Sequence, residues 1–361
     1  MNKDVLLLIS SAPQARFRGI ARFAREHGWY LSLEDRAEPP TDWKGDGVLV
    51  QLGRTHQRLR KAIATYRKRR IPVVDLSFAC PEIRLPRVCG DNRRMGHLAA
   101  EHFLDHGFRH AAFFASHQGN LQNLRFNSFQ FRFGAPVIRW TGLTRTELAD
   151  ALCAAPKPLA VLAYSDYDAS RVLNACRDAA LTIPEEVAIL GIDDNQIICL
   201  NQPVALSSIR HDHETVGYEG SALLQCLMNG SRPPTRPRFI APLGVAVRQS
   251  TDVVAAENPI ARRALVLIRR DLGKSFGALQ IAEELGISPA ELASAFKEEF
   301  GDNVAQVILR QRLARAKLLM SSTDYTLATI AAETGFCHAA HLANAFRKTF
   351  GLTPGDFRSS L

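Results

Sequence analysis

The chain has 361 residues, 46% of them apolar, and a formal net charge of +9 at pH 7. It is therefore a globular chain, long enough for two or three domains. No apolar run approaches ~18 residues, and the first ten residues have too short an apolar core for a signal peptide, so we expect neither a membrane protein nor a secreted one but a cytoplasmic protein.

The positive charge is not by itself evidence for nucleic-acid binding. Residues 256–361 contain 13 Lys and Arg against 11 Asp and Glu, whereas residues 1–255 contain 32 against 25. The excess thus lies mainly in the first 255 residues. The basic run at 67–70 falls at the end of a predicted helix, where the helix dipole favours cations.

Cysteine and histidine give no sign of a metal site. The seven cysteines are scattered, without a C-x-x-C pair, and are typical of reduced thiols in a cytoplasm. His97, His102, His106 and His110 have helix-like spacing, but no carboxylate or cysteine completes a ligand set. We expect no metal and no cofactor.

The first 250 residues alternate between strand and helix. Strands and helices follow one another from Val5 to Ser77, and a second alternation begins near Thr144 and runs to about residue 236. This order predicts parallel sheets covered on both faces. We expect two Rossmann-like lobes, approximately 1–115 and 116–236 with chain crossovers, and a ligand cleft at the carboxyl ends of their strands.

Several stretches of this α/β region resemble the effector domain of the LacI-type regulators, which is itself similar to periplasmic sugar-binding proteins. They are GDNRRMG with LAAEHFLDHGFRH (90–110), YSDYDAS (164–170), IPEEVAILGIDD (183–194) and ALSSIRHDHETVGYEGSALL (205–224). The resemblance implies that residues 1–252 form a sugar-binding effector domain. It also implies a homodimer that forms through the first lobe.

The resemblance assigns five effector-binding residues: Arg125, Phe129, Ser165, Asp166 and Asp193. Guanidinium and carboxylate groups at strand ends suit sugar hydroxyls, and an aromatic ring offers a flat apolar wall. Asp166 and Asp193 have an alternative structural role as caps of the helices that follow them.

The identity of the sugar stays open in the sequence. A pentose, xylose first, is the effector that the resemblance implies, while arabinose, ribose, another aldose or a uronic acid suit the same chemistry. Leu121 and Ser165 replace the aromatic residue and the asparagine that are usual in the family. An anionic ligand is indicated by one group of arginines: Arg16, Arg18, Arg93, Arg94 and Arg125.

Residues 253–259 are predicted to be a linker, and residues 260–361 an all-α domain with two helix-turn-helix units. In each unit a 3.6-residue apolar period is broken by a glycine, Gly286 in the first and Gly335 in the second. Ser288 and Glu291 form a capping box that starts the second helix of the first unit. Residues 303–322 suit one continuous helix between the units, which would hold two reading helices about one DNA turn, ~34 Å, apart.

The helical region resembles the DNA-binding domain of the AraC/XylS regulators. The residues that carry the resemblance span both units and end in the family's signature: Gly286, Ile287, Leu292, Phe296, Arg312, Gly335, Phe336, Phe346, Gly351, Pro354 and Arg358. The resemblance implies a sequence-specific transcription regulator, an activator of sugar catabolism genes, that binds double-stranded DNA half-sites and contacts RNA polymerase.

Base reading requires side chains that reach into a DNA groove. The first unit offers Ser288, Ala290, Ala293 and Ser294 at base-facing positions, and Arg310 and Arg312 on the linking helix are candidates for phosphate contacts. The second unit is richer in polar groups: His338, Ala339, His341, Asn344 and Arg347. We therefore expect the second unit to supply most of the hydrogen-bond specificity.

Two other classes of function fit parts of the sequence. A glycosidase could use Asp166 with Asp193 or Asp194 as acid and base, but the chain has no nucleophile elbow, phosphate-binding loop or dinucleotide fingerprint. Alternatively, the helical domain could dock another protein instead of DNA. A regulator that is not an enzyme is the prediction.

Overall fold

The computed structural model describes residues 2–9, 13–34, 38–53, 57–253, 255–274 and 276–359. They form two α/β lobes followed by a domain of helices. Residue 254, within the predicted linker, lies outside the described residues. Among the residues described, no helix is long and apolar enough to cross a membrane.

Lobe 1 is built on a parallel sheet of strand order β2-β1-β3-β4. Residues 5–8 of β1 and all of β3 and β4 are buried, as expected of a parallel sheet between helices, whereas the edge strand β2 is partly exposed. Its elements before the chain first passes into the second lobe are β1 (Lys3–Leu8), α1 (Gln14–His27), β2 (Trp29–Leu33), β3 (Gly47–Val50), α2 (Gln57–Lys68), β4 (Val73–Asp75) and β5 (Val88–Gly90).

Lobe 2 contains a six-stranded sheet in which only the edge strand β12 is antiparallel. The strand order is β12-β10-β9-β8-β6-β7. Its elements are α3 (Asn92–Asp105), β6 (His110–Ala115), α4 (Asn120–Phe133), β7 (Val137–Thr141), α5 (Arg145–Ala154), β8 (Leu159–Ala163), α6 (Asp166–Asp178), β9 (Val187–Ile192), α7 (Gln196–Leu200), β10 (Ser207–Ile209) and β12 (Val245–Ala246).

The lobes are interleaved in sequence differently from the predicted division near residue 115. Helix α3 and strand β6 belong to lobe 2, where Met95, Phe103 and Phe113 share one apolar core. The chain then returns to lobe 1 as α8 (His213–Met228) and β11 (Arg238–Ile240), which pairs with β5. It therefore crosses between the lobes three times, near residues 90, 210 and 242.

Close helix packing explains why α8 belongs to lobe 1. A Cβ on Gly19 of α1 would lie 2.0 Å from the Glu214 carbonyl oxygen, and one on Gly217 of α8 would lie 2.2 Å from the Arg16 carbonyl oxygen. Only glycine permits this backbone approach. Beyond it, Val216 and Leu224 enter the core of lobe 1.

The predicted linker is packed on both sides and is not a loose tether. Val253 and Ala255 lie in the core of lobe 2, while Ala256 lies in the core of the helical domain. The backbone amides of Glu257 and Asn258 both donate to the Glu299 carboxylate, at 2.9 and 2.8 Å. We call residues 255–258 the joint; they bind lobe 2 and the first helical unit together.

The helical domain contains both predicted helix-turn-helix units. Its helices are α9 (Pro259–Arg270), α10 (Ala278–Leu285), α11 (Pro289–Phe300), α12 (Val304–Ser322), α13 (Leu327–Glu333), α14 (Ala339–Phe350) and α15 (Pro354–Ser359). The capping box that starts α11 is confirmed: the Glu291 amide donates to Ser288 Oγ, and the Glu291 carboxylate accepts from the Ser288 amide.

Helix α12 is continuous, as predicted, but it does not have one apolar face. Val304, Val307 and Ile308 pack in the core of the first unit, whereas Leu313 and Ala316 pack in that of the second. At 3.6 residues per turn these two sets point roughly 150° apart. The helix therefore fixes the rotation of one unit relative to the other.

A second contact between the units lies at the turn of the second helix-turn-helix. Gly335 has φ +72°, and a Cβ there would lie 2.3 Å from the Leu272 carbonyl oxygen and 2.8 Å from the Arg312 guanidinium carbon. Arg312 donates from Nη2 to the Lys274 carbonyl at 2.8 Å. The turn thus requires glycine for both its conformation and its closeness to the first unit.

We expect Gly335→Ala to destabilise the helical domain more than Gly351→Ala. Both positions have positive φ, which costs alanine about 1–2 kcal/mol, but a Cβ on Gly351 meets nothing within 4 Å. The clash at residue 335 should add about 1–3 kcal/mol. Urea unfolding followed by far-ultraviolet circular dichroism measures the loss.

The three tryptophans provide an internal control because all of them, Trp29, Trp43 and Trp140, lie in the α/β lobes. Their fluorescence transition should stay in place while the helical transition of Gly335→Ala shifts. Equal stability of the two glycine variants would contradict the proposed contact between the units.

Candidate functional site

A cleft of about 1060 Å³ lies between the lobes at the carboxyl ends of their strands. This is where parallel α/β sheets bind ligands, because loops there converge from several strands. Lobe 1, lobe 2 and the crossing segments all contribute polar side chains to it: Arg16, Gln51, Asn92, Arg125, Tyr164, Asp166, Asp193, Asp194, His211 and His213.

A chain of hydrogen bonds runs across the floor of the cleft from one lobe to the other. Arg16 Nη2 donates to His213 Nδ1 at 2.9 Å, and His213 Nε2 lies 3.1 Å from Asp193 Oδ1. His211 stacks on His213 with 3.7 Å between ring centroids. Since Arg16 can only donate, His213 Nδ1 is the acceptor. The imidazole proton is therefore on Nε2, which donates a hydrogen bond to Asp193 Oδ1.

The pKa values of the three hydrogen-bonded side chains agree with a neutral His213 that accepts at Nδ1 and donates from Nε2. Burial lowers the pKa of His213, although Asp193 opposes the shift, so the imidazole is neutral at pH 7. Burial opposes ionisation of Asp193, but the hydrogen bond from His213 and the charges of Arg125 and Arg16 hold its pKa below the usual value. Burial lowers the pKa of Arg16 to about 10, which leaves it charged.

Arg125 lies in the cleft as predicted. It is buried, and its Nε donates to Asn92 Oδ1 at 2.8 Å while its Nη1 donates to the Tyr164 carbonyl. Its guanidinium carbon sits 4.5 Å from the centre of the Tyr164 ring. Neighbours thus hold this guanidinium in a fixed position on the cleft wall.

Of the predicted Ser165–Asp166 pair, only Asp166 lines the cleft. Ser165 is the N-cap of α6, where its hydroxyl accepts from the Asp168 amide, and it is not among the residues that line the cleft. Asp166 lines the cleft, but Ser208 Oγ donates to its Oδ1 at 2.6 Å and the Asn195 amide to its Oδ2 at 2.7 Å. Asp166 therefore ties the start of α6 to strand β10 and to the loop after β9.

The prediction of Phe129 as a wall of the sugar site is wrong. The side chain is fully buried in the core of lobe 2, against Phe103 and Phe133. It lies one turn beyond Arg125 on the same face of α4, so it packs on α3 farther from the end of the helix that borders the cleft. Aromatic residues at the cleft are instead Phe78, Tyr164 and Tyr167.

Sequence reasoning did not single out Asn92, Tyr164, His211 or His213. The signal for the histidines is weak: two of them, one residue apart, follow the short strand β10 where the chain crosses to lobe 1. Tyr164 directly follows β8, and Asn92 lies two residues after β5. Both are thus at carboxyl ends of strands, where ligands bind in α/β folds.

Within the described part of the chain, two buried polar atoms at the cleft have no hydrogen-bond partner. They are Arg16 Nε and His211 Nδ1. Buried polar groups are normally satisfied, so atoms left open beside a cavity point to a ligand that completes them. In contrast, the Asp194 carboxylate is occupied, since Arg248 Nη2 donates to it at 2.7 Å.

The predicted DNA-reading positions lie on the surface of the helical domain. On α14 the side chains of His341, Asn344 and Arg347 are exposed, while Leu342 and Phe346 face the core. His338 is also exposed, but its Nδ1 accepts from the His341 amide and caps the helix; Ala339 is half-buried. The exposed side of α14 therefore offers an amide, an imidazole and a guanidinium.

On α11 the exposed predicted residues are Ala290, Ala293 and Ser294, and Ser288 is used as the cap. Its cation Lys297 donates to the Gly301 carbonyl at 2.8 Å. The first unit thus presents one hydroxyl and two methyl groups, as the sequence predicted.

Neither arginine predicted on α12 is free. Arg310 pairs with Asp302, and Arg312 is half-buried against the Gly335 turn, where it donates to the Lys274 carbonyl. Burial lowers the pKa of Arg312 below its usual value. Arg312 is thus a structural link between the two units.

Comparisons with known proteins match both parts of the chain. Residues 100–251 match a periplasmic binding protein-like domain, and residues 281–360 match a helix-turn-helix domain. The xylose operon regulatory protein of Escherichia coli K12 is 24% identical over 358 residues, covering 93% of this chain and 90% of the relative. That of Haemophilus influenzae is 26% identical over 288 residues, covering 76% and 74%.

A solved structure of a xylose-binding transcription activator, xylR, has the same fold from end to end. It superposes with a TM-score of 0.74 at 23% identity and covers 100% of this chain and 98% of its own. These relatives are transcription regulators and not enzymes.

We expect Asp166 to make stability depend on pH. Burial and the charge of Asp193 raise its pKa to about 7. Between ~4, the unfolded value, and ~7 the folded chain binds a proton that the unfolded chain has lost, so the free energy of unfolding falls as pH rises, by on the order of 4 kcal/mol. Asp166→Asn should flatten this slope.

The measurement is the free energy of unfolding in urea at several pH values between 4 and 8, followed by tryptophan fluorescence. Part of the slope should remain, because burial also raises the pKa of Asp75, to about 6. Asp150→Asn, a matched change at an exposed site of lobe 2, should keep the full slope. An Asp166→Asn slope equal to that of the wild type would refute the assignment.

Proposed function

Since this chain is a DNA-binding, sugar-responsive transcription regulator that joins a periplasmic-binding-protein-like domain to an AraC-type helix-turn-helix domain, we propose that it activates sugar catabolism genes when a pentose occupies the cleft. Xylose is the first candidate because the relatives that match most of the chain regulate a xylose operon. The alternatives are another monosaccharide or a sugar acid.

The unpartnered polar atoms of the cleft carry this proposal. A sugar hydroxyl can accept from Arg16 Nε and either donate to or accept from His211 Nδ1, because it has both a donor and lone pairs. Arg125 and Asn92 are close by on the lobe 2 side of the cleft. We propose Arg16, Arg125, Asp193 and His211 as the sugar-binding residues, with Asp166 fixing the surrounding loops.

The charges of the cleft favour a neutral ligand over an anion. Asp193 faces the Arg16–His213 pair, and Asp194 is paired with Arg248. Of the arginines that hinted at an anionic ligand, Arg93 and Arg94 lie outside the cleft lining, and Arg94 pairs with Glu101. Arg18 lines the cleft but lies 3.6 Å from the Glu214 carboxylate.

We propose that the two helix-turn-helix units read adjacent half-sites, with α11 and α14 in successive major grooves. Asn344, His341 and Arg347 supply the hydrogen bonds to bases, while Ala290, Ala293 and Ser294 supply apolar and positioning contacts. We do not assign Arg310 and Arg312 to phosphate contacts, because Arg310 pairs with Asp302 and Arg312 donates to the Lys274 carbonyl.

The assembly and setting that accompany this function are proposals too. We propose a homodimer formed through lobe 1, action in the cytoplasm, and contact with RNA polymerase at the promoter. Analytical ultracentrifugation with and without sugar tests the proposed dimer, and a monomer under both conditions would refute it.

A glycosidase in the same cleft is not favoured. Although the pKa of Asp166 is raised and that of Asp193 lowered, as an acid and base pair requires, both Asp166 oxygens accept hydrogen bonds from the protein and Asp193 is bound to His213. The shifts follow from burial and pairing inside the fold.

We expect His211→Phe to weaken sugar binding by about fivefold or more. Phenylalanine keeps the stacking on His213 but removes the open Nδ1 atom, and a lost hydrogen bond costs about 1 kcal/mol or more. Thermal shift and calorimetric titration with pentoses, hexoses and uronic acids measure this. In the wild type, sugar at about 100 times its dissociation constant should stabilise the fold by roughly 2.7 kcal/mol.

His97→Phe is the matched control, because His97 lies on the outer side of α3 against Phe131 and away from the cleft. It should bind sugar like the wild type. A shift with uronic acids alone would reassign the effector to a sugar acid. If no sugar shifts the transition, the proposed sugar site is wrong, while the proposal that the helical domain binds DNA is unaffected.

In DNA binding, Asn344→Ala and His341→Ala should each relax operator preference by about 1–3 kcal/mol per lost base contact. Ser294→Ala should change it little, since α11 offers mainly methyl groups. Gel shifts over a range of salt concentrations separate base reading from phosphate contacts, whose loss lowers the salt slope. The reverse ranking, with Ser294→Ala abolishing preference, would contradict this division between the units.

A further inference from the structure

Lobe 1 contains a second recess, at the end of its strands opposite to the cleft. It is bounded by the segments that enter β4, β5 and β11 and by the end of α8, and its volume is about 770 Å³. Since the sugar cleft lies at the carboxyl ends of the strands and this recess at their amino ends, the two sites do not share a wall.

Arginine is the charged residue of this recess. Five arginines line it, and no acidic side chain does so among the residues that the structure describes: Arg67, Arg70, Arg84, Arg87 and Arg236. Arg87 is committed to the fold, because its Nε donates to Asp75 at 2.8 Å and its Nη2 to the Cys80 carbonyl at 2.6 Å.

The other four arginine side chains are exposed, and within the described part of the chain they have neither an ion pair nor a hydrogen bond. The helix dipole accounts for Arg67, in the last turn of α2, and for Arg70, just after the helix ends. It does not account for Arg84 and Arg236, which lie in separate loops before β5 and β11. Four like charges around one concavity repel each other unless an anion occupies it.

The walls of the recess leave few groups other than guanidinium for a ligand to meet. Six of the lining residues are prolines, which have no backbone N–H and restrict the loops that carry Arg84 and Arg236. Apolar contact surface comes from Ile71, Leu85 and Leu227. Of the residues that the structure describes, the others with polar side-chain groups on the lining are Ser231 and Thr235, each with a hydroxyl.

We propose that this recess binds a small organic phosphate, with Arg84 and Arg236 as its principal anion contacts. Guanidinium forks match phosphate oxygens in pairs, and such charge-assisted bonds are stronger than neutral ones. Proline and leucine surfaces receive the organic part of the ligand. Duplex DNA presents its phosphates on a convex surface, whereas these guanidiniums surround a hollow.

The test is calorimetric titration of the full chain with inorganic pyrophosphate at fixed ionic strength. The wild type should bind it, and the double variant Arg84→Gln, Arg236→Gln should bind at least tenfold more weakly. The matched control is Arg69→Gln, Arg232→Gln, which removes the same charge from exposed arginines of neighbouring segments outside the recess. The control should stay within twofold of the wild type.

All four positions are on the surface, so circular dichroism and sugar-induced thermal shifts should match the wild type in both variants. No pyrophosphate binding by the wild type, or equal weakening in the two double variants, overturns the proposal, since equal weakening reports net charge alone. Binding of non-operator DNA is measured in parallel. Loss of DNA binding without any pyrophosphate binding assigns the arginines to the DNA backbone and also overturns it.

Discussion

The joint at residues 255–258 is the constraint on which the rest of this regulator depends. Ala255 donates its backbone N–H to the His106 carbonyl at 2.9 Å within lobe 2, and two residues later the Glu257 and Asn258 amides are held by Glu299 on α11. Arg269 of α9 adds ion pairs to Glu185 and Asp252 at 3.5 and 3.7 Å. A tether of this kind transmits position, because both amides are bound by the same carboxylate and neither can leave it without losing a hydrogen bond.

Beyond the joint, packing and the hydrogen bond from Arg312 to the Lys274 carbonyl fix the orientation of the second helical unit relative to the first. The two halves of α12 bury different faces in different cores, and the Gly335 turn rests against Leu272 of the first unit. Any movement of lobe 2 relative to lobe 1 therefore carries α11 with it and, through α12, also α14. A sugar can produce such a movement only if it binds one arrangement of the lobes more tightly than another. The Arg16–His213–Asp193 chain, which joins the lobes at the floor of the cleft, is placed to report that difference.

The chemistry of the cleft depends on which charges are already paired. Its lining contains arginines and aspartates in equal number, yet the protein itself binds both oxygens of Asp166, pairs Asp194 with Arg248 and engages one oxygen of Asp193. The groups left open, Arg16 Nε and His211 Nδ1, come from segments nearly 200 residues apart in sequence. Their meeting follows from the return of α8 to lobe 1, which the packing at Gly19 and Gly217 makes possible.

The sequence by itself determined the features that depend on local pattern: alternating strands and helices, the capping box at Ser288, the turn at Gly335, and two helix-turn-helix units separated by one long helix. These follow from residues within a few positions of one another. The lobe boundary, the burial of Phe129, the use of Ser165 as a cap and the engagement of Arg312 were decided only by the tertiary structure. Each depends on which distant segment packs beside the residue, and one sequence read along its length contains no direct measure of that.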